Sequence, residues 1–182
     1  LFRSVISVFR TISVKMQTLD KLKIFYPLEI WKENSILRAW WKTISKIDDE
    51  IRDFADILME LMRAYDGVWL AAPQIGKNIA MIATTQWKKM PSGEHAEKDF
   101  LWETLLINPS IVESSQEMQI SEEACLSVPG EQGNVERHQR IIVKFQDKKG
   151  RWKKQKYSGF NACILQHEID HLNGILFTDK LI

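Results

Sequence analysis

In Gln166-His167-Glu168-Ile169-Asp170-His171 two imidazoles stand four residues apart, with a carboxylate beside the first. On a helix, a step of about 100° per residue leaves His167 and His171 roughly 40° apart in projection and one turn from each other, so both rings can reach one metal ion. Glu168 points off that axis. It can then stand beside a metal-bound water without binding the metal, which is the position of a general base. A lone histidine on such a face is more often a hydrogen-bonded core residue; the pair together with Glu168 favours metal.

Local signals place the helix. Ser158 and Gly159 precede the apolar run Phe160, Ala162, Cys163, Ile164, Leu165, and Asn173-Gly174 follows as a C-terminal stop, so the predicted helix covers about 160 to 172. Phe160, Cys163, Ile164 and His167 fall at i, i+3, i+4, i+7 on one face. The metal site is therefore expected at the end of an apolar stripe, half in the core and beside the pocket that the stripe lines.

Two histidines and a glutamate do not complete a catalytic divalent-metal site, which usually takes three protein ligands and keeps one position for water. Glu122-Glu123-Ala124-Cys125-Leu126-Ser127-Val128-Pro129-Gly130 offers the Cys125 thiol in a turn-like setting, and a metal would hold it as thiolate. A buried free cysteine is common, however. Composition leaves open the choice between Cys125 and Cys163, which lies one turn before His167.

The rest of the chain must position these groups. Its 182 residues, 45% of them hydrophobic, suit one domain with a sizeable core. Without an apolar run of about 18 residues, no membrane span is expected. A net charge of +1, from 25 basic and 24 acidic side chains, gives no argument in the total for nucleic acid or an anionic membrane as partner. Two cysteines are too few for a disulfide framework and fit a reducing compartment, with the cytoplasm expected. Residues 1–18 are acid-free, with Arg3, Arg10, Lys15 and interspersed serines. They read either as an organellar transit peptide, which would place the mature chain in an organelle matrix, or as a weakly ordered or non-native stretch before a true start at Met16. Residues 19–182 are then one catalytic domain.

Phe25, Tyr26, Pro27, Trp31, Trp40 and Trp41 predict a docked, partly buried and irregular segment with a short strand. Asp48-Asp49-Glu50, the spacing of Ile51, Phe54, Ala55, Leu58, Met62 and Tyr65, and the stop at Gly67 predict an amphipathic helix of about 18 residues packed on a sheet. Gly67 to Gly76 reads as a turn entering a strand from Asn78 to Thr84, with Gln74 as an amide that can aim at a polar ligand. Lys88 to Lys98, with His95, reads as a surface loop. Strands are expected at Thr104 to Asn108 and near Ile111-Val112. A hairpin is expected from Arg140 to Gln146, turning at Asp147-Lys148-Lys149-Gly150 and returning from Arg151 to Tyr157, its lysines fitting an exposed face or a protected edge.

Three ordered blocks, Gly67 to Gln74, Glu123 to Ser127, and Gln166 to His171 continuing through Leu172-Asn173-Gly174-Ile175-Leu176-Phe177, resemble the signatures of the peptide deformylases, from about residue 20 to the end. Members of that family remove the formyl group from N-terminal formylmethionine of new polypeptides. The resemblance implies an α+β fold, with short antiparallel sheets around a central helix carrying the His-Glu-x-x-His motif. It implies Cys125, His167 and His171 as ligands of one divalent ion, Fe²⁺ natively and Zn²⁺ or Ni²⁺ as purified. It implies Glu168 as acid and base, and Gln74 and the Leu126 N–H as donors to the developing oxyanion. Gly67, Val68, Trp69, Phe160, Cys163 and Ile164 match substrate-binding positions, which makes Cys163 pocket lining. Formylmethionyl nascent peptides are the implied partners of a monomer. Transient ribosome contact is a further expectation, and the chain, ending at Ile182, is expected to lack the C-terminal helical extension that docks some bacterial members on the ribosome. Two residues depart from the pattern. Trp69 stands at a family glycine beside the bound substrate backbone, and Ala124 stands at the glycine before the metal cysteine. A metallopeptidase, or a relative with altered substrate preference, is the alternative.

Overall fold

In the computed structural model, which describes residues 23, 26–65, 67–88 and 100–182, Asp48 caps the first helix, α1 (Asp49–Ala64), by accepting from the Ile51 N–H at 3.2 Å. Asp49 and Glu50 add negative charge where the helix dipole is positive. Of its predicted stripe Phe54, Ala55, Leu58 and Met62 are buried, together with Leu61, while Ile51 and Tyr65 are partly buried. The 1–18 leader, and His95 with most of its loop, lie outside the described residues.

The strands are β1 (Trp69–Ala71), β2 (Met81–Trp87), β3 (Phe100–Ser114), β4 (Met118–Cys125), β5 (Val128–His138), β6 (Arg140–Gln146) and β7 (Trp152–Ser158). Five form an antiparallel sheet in the order β1-β2-β3-β6-β7, and β4 pairs with β5 alone. The second helix, α2 (Phe160–Leu172), carries the two histidines and has the predicted bounds. The α1 stripe packs against Leu70, Met81, Ala83 and Ile107 on one face of the five-stranded sheet. Ile82, Leu106, Val143, Phe145 and Tyr157 face the other way, against Leu165, Ile169 and Leu172 of α2. The expected α+β arrangement around a central helix is what the chain adopts.

Every residue of α2 from Ala162 to Leu172 is buried. The site is therefore enclosed in the core rather than half in it, because β4 and β5 cover the face that the five-stranded sheet leaves open. A backbone with φ of 70° at Gly174 lets the chain leave the helix; any Cβ there would lie 2.6 Å from the Arg38 carbonyl oxygen.

Several local expectations are corrected. β2 begins at Met81 instead of Asn78 and runs to Trp87, because residues before it hold the irregular 26–47 segment, through Lys42 N–H to Asn78 O and Ala80 N–H to Lys42 O. The short strand expected in that segment is a single bridge, Lys42 to Ile79. Leu37 and Ile44 do its burying, whereas Trp31 and Trp40 are 56% and 78% exposed. The two strands expected around Pro109 are one, β3. Asn108, at φ 50°, shifts the ladder without ending it and ties Ile44 to Gln146 through its side-chain amide. The expected hairpin is present, with its return strand one residue later, at Trp152–Ser158, and Gln146 paired with Trp152. Asp147 Oδ1 accepts from the Lys149 and Arg151 N–H groups, and Gly150 takes φ 77°.

Candidate active site

His167 and His171 leave α2 one turn apart, with ring centroids 4.9 Å from each other. β4 ends at Cys125, whose Sγ lies 3.2 Å from His171 Nε2. The potential ligand atoms of Cys125, His167 and His171 all lie within 4.8 Å of one another, and all three residues are buried. His167 Nδ1 is 2.8 Å from Glu123 Oε2. That contact fixes the ring and leaves Nε2, a buried nitrogen without a partner, facing the thiol and Glu168. One thiol and two imidazoles, with an orphaned nitrogen among them, fit a mixed sulfur and nitrogen metal site of the kind that accepts Fe²⁺, Zn²⁺ or Ni²⁺.

Glu168 is fully buried, and neither carboxylate oxygen has a partner; Oε1 is 3.9 Å from His167 Nε2. Burial, with the charge of Glu123 adding to it, pushes its carboxyl well above the usual range. Burial and the charge of Glu168 push the Cys125 thiol up to about 12, and burial with neighbouring His167 holds His171 well below the usual imidazole range. Without a cation this cavity favours neutral groups. A divalent ion would reverse that preference, favouring the Cys125 thiolate, and its uptake would then displace a proton.

Gln74 sits in the 3₁₀ turn Ala72–Ile75 that follows β1. Its Oε1 accepts from the Ala71 N–H at 2.8 Å, which orients the amide so that Nε2 faces Cys125 Sγ at 3.5 Å and Ser127 Oγ at 3.3 Å. Leu126 follows Cys125 in the two-residue turn between β4 and β5, its side chain partly exposed.

Behind the histidines lies a buried ionic network. Arg137 of β5 donates to both oxygens of Glu123, at 2.7 and 2.8 Å, and to Asp170 Oδ2 at 2.5 Å; Lys180 reaches Asp170 at 2.7 Å. Sequence reasoning missed the roles of Arg137, Ser127 and Glu123. The last was findable, because in a strand Glu123 and Cys125 share a face.

Val68, Trp69, Phe160, Cys163, Ile164 and His167 line a largely apolar cavity of about 310 Å³. Gly67, Val68, Trp69, Cys125 and Leu126 line a neighbouring one of about 390 Å³. Trp69 borders both, its indole edge-on to Phe160 at 5.9 Å and 6.2 Å from the His167 ring, so it lies in the cleft. Ala124 has an ordinary negative φ, which accommodates its methyl.

The family model described as polypeptide deformylase matches residues 27–182. A peptide deformylase of Borreliella burgdorferi is 39% identical over 156 residues, covering 86% of this chain and 84% of that one. The chloroplastic peptide deformylase 1B of Oryza sativa is 38% identical over 156 residues, covering 85% of this chain and 55% of its own length. The Met-Ala-Ser-bound crystal structure of a class I type b peptide deformylase from Acinetobacter baumannii superposes with a TM-score of 0.76 at 32% identity, over 86% of this chain and 98% of that one.

Proposed function

Because the chain belongs to the peptide deformylase family, metal-dependent enzymes that remove N-formyl groups, we propose that Cys125, His167 and His171 hold one divalent ion, Fe²⁺ natively, and that Glu168, Gln74 and Leu126 carry the chemistry beside it. The observation that carries this reading is a buried carboxylate with two unpartnered oxygens next to a thiol and two imidazoles clustered within 4.8 Å.

The ion, when bound, supplies Lewis acidity that lowers the pKa of a water molecule and polarises the formyl carbonyl. Glu168 takes the proton of the attacking water and returns it to the leaving amine, so formate and a free N-terminus depart. Gln74 Nε2, aimed by the Ala71 N–H, and the backbone N–H of Leu126 donate to the oxygen on which charge collects.

Formylmethionyl nascent peptides are the substrates, with the methionine side chain in the 310 Å³ cavity among Val68, Trp69, Phe160, Cys163 and Ile164. Burying an unbranched apolar side chain there is worth roughly 1.5–3 kcal/mol, so kcat/KM for formyl-Met-Ala-Ser should exceed that for formyl-Asp-Ala-Ser by at least about tenfold. Because Trp69 walls this cavity, Trp69→Gly should cut the preference for formyl-Met over formyl-Phe substrates by about tenfold. An unchanged ratio would show that the indole does not bound the pocket. Such substrates place the enzyme, as a monomer, where translation starts with formylmethionine, in the cytoplasm or an organelle matrix. Among the described residues no helix is long and apolar enough to cross a membrane.

Metal content tests the ligand assignment. After anaerobic reconstitution with Fe²⁺, elemental analysis should give about one ion per wild-type chain and close to none for Cys125→Ala. Full retention by the variant would remove Cys125 from the ligand set.

A further inference from the structure

The near-zero net charge of the chain hides a strong local asymmetry. Residues 140–158 contain eight Lys and Arg against one acidic residue, Asp147, so this hairpin carries +7 and the remainder of the chain −6. Lys144 and Lys154 stand directly opposite each other across the β6–β7 ladder, and Lys156 opposite Ile142 lies two residues further along the same face. Like charges facing across strands are destabilising.

Acidic neighbours do not relieve this. Glu117 pairs with Arg140, Asp56 with Lys148, and Asp147 with Arg151 and Lys153. Glu113 borders the groove with Arg140 and Lys156 without an ion pair to either. Among the described residues Lys149, Lys154 and Lys156 have no carboxylate partner. Trp152, 54% exposed, has the Lys144 ammonium 4.5 Å from its ring centroid.

Edge protection explains lysines on β7, the last strand of the sheet. It does not explain Lys144 on the interior strand β6, nor an exposed tryptophan on the edge, which invites association instead of discouraging it. Lys154 and Lys156, without a carboxylate partner, beside the exposed Trp152 ring and Lys144 on one open sheet face are the complement of a phosphate backbone with an unstacked base.

We propose that the β6–β7 hairpin binds single-stranded RNA, with Lys144, Lys154 and Lys156 on phosphates and Trp152 stacking a base. The choice of RNA rests on the deformylase reading, since nascent chains are made beside RNA. Single strands are favoured over duplex because a base must be unpaired to stack on the indole.

Fluorescence anisotropy of the full chain with a labelled 20-nucleotide uridine-rich RNA, titrated across a salt series, tests this. The triple variant Lys144→Ser, Lys154→Ser, Lys156→Ser should bind at least about tenfold more weakly, with the slope of log K against log salt reduced by about 2. Trp152→Ala should weaken binding about fivefold or more at an unchanged slope. Turnover of formyl-Met-Ala-Ser should stay at the wild-type level in both, which confirms folding and keeps the outcome separate from the deformylase reading. The proposal is overturned if the variants bind RNA as the wild type does. It is equally overturned if the wild type binds phosphatidylglycerol vesicles but not RNA, or neither.

Discussion

Replacing Arg137 with methionine is expected to cost about 3–5 kcal/mol of stability, seen in the metal-free protein as a fall in melting temperature of roughly 10 °C. The guanidinium is 2% exposed and holds together Glu123 of β4, Asp170 of α2 and its own strand β5. Methionine fills similar volume but leaves two carboxylates without their main partner in the interior. Burial alone would raise the Glu123 carboxyl, yet the Arg137 hydrogen bonds and His167 carry it down from 4.5 to about 2. A folded value below the unfolded one means that Glu123 contributes stability above about pH 4.5, and that this is lost as pH falls toward 2. Acid unfolding of the wild type should thus fall in that window, and Arg137→Met should move its midpoint upward. Glu123 also fixes His167 through Nδ1, so metal affinity should drop by about 10- to 100-fold. A stability change below about 1 kcal/mol would show that the network does not bind the sheet to the helix.

The helix behind the site was legible because its evidence is local: the 160–172 spacing, the glycine before it and Asn173-Gly174 after it all act within a turn or two. The same holds for α1 and for the β6–β7 hairpin, whose turn around Asp147-Lys148-Lys149-Gly150 is marked by its own residues. β4 and β5 were not legible. Their residues are polar, with alternation that reads as turn, and what holds them is non-local: register with each other and the Glu123–Arg137–Asp170 network reaching α2. For the same reason composition could not choose between Cys125 and Cys163. The choice depends on a hairpin end meeting a helix, which only the resemblance suggested, and the structure brings Cys125 to the two histidines. Trp31 and Trp40 misled in the opposite direction, since aromatic content predicts burial only on average. The local charge of residues 140–158 was visible in the sequence but masked by the total.

Glu168→Ala should lower turnover by about 10³-fold, within the range that proton transfer by a positioned side chain supplies. Its fold should not suffer. A fully buried carboxyl is itself costly to desolvate, so removing it is expected to leave stability within about 1 kcal/mol of the wild type or to raise it. Cys125, His167 and His171 are expected to keep their positions, and the variant is expected to take up metal as the wild type does. Lost turnover with retained metal separates the proton carrier from the ligands, which Cys125→Ala cannot do.

Formate release is the direct measurement. Wild type and Glu168→Ala, each reconstituted anaerobically with Fe²⁺ and verified for metal, are given formyl-Met-Ala-Ser, and formate is assayed alongside new primary amine. Wild type should release the two products in equal amounts, and the variant almost none. Fully loaded wild type that releases no formate, or a variant that matches its rate, would contradict the account.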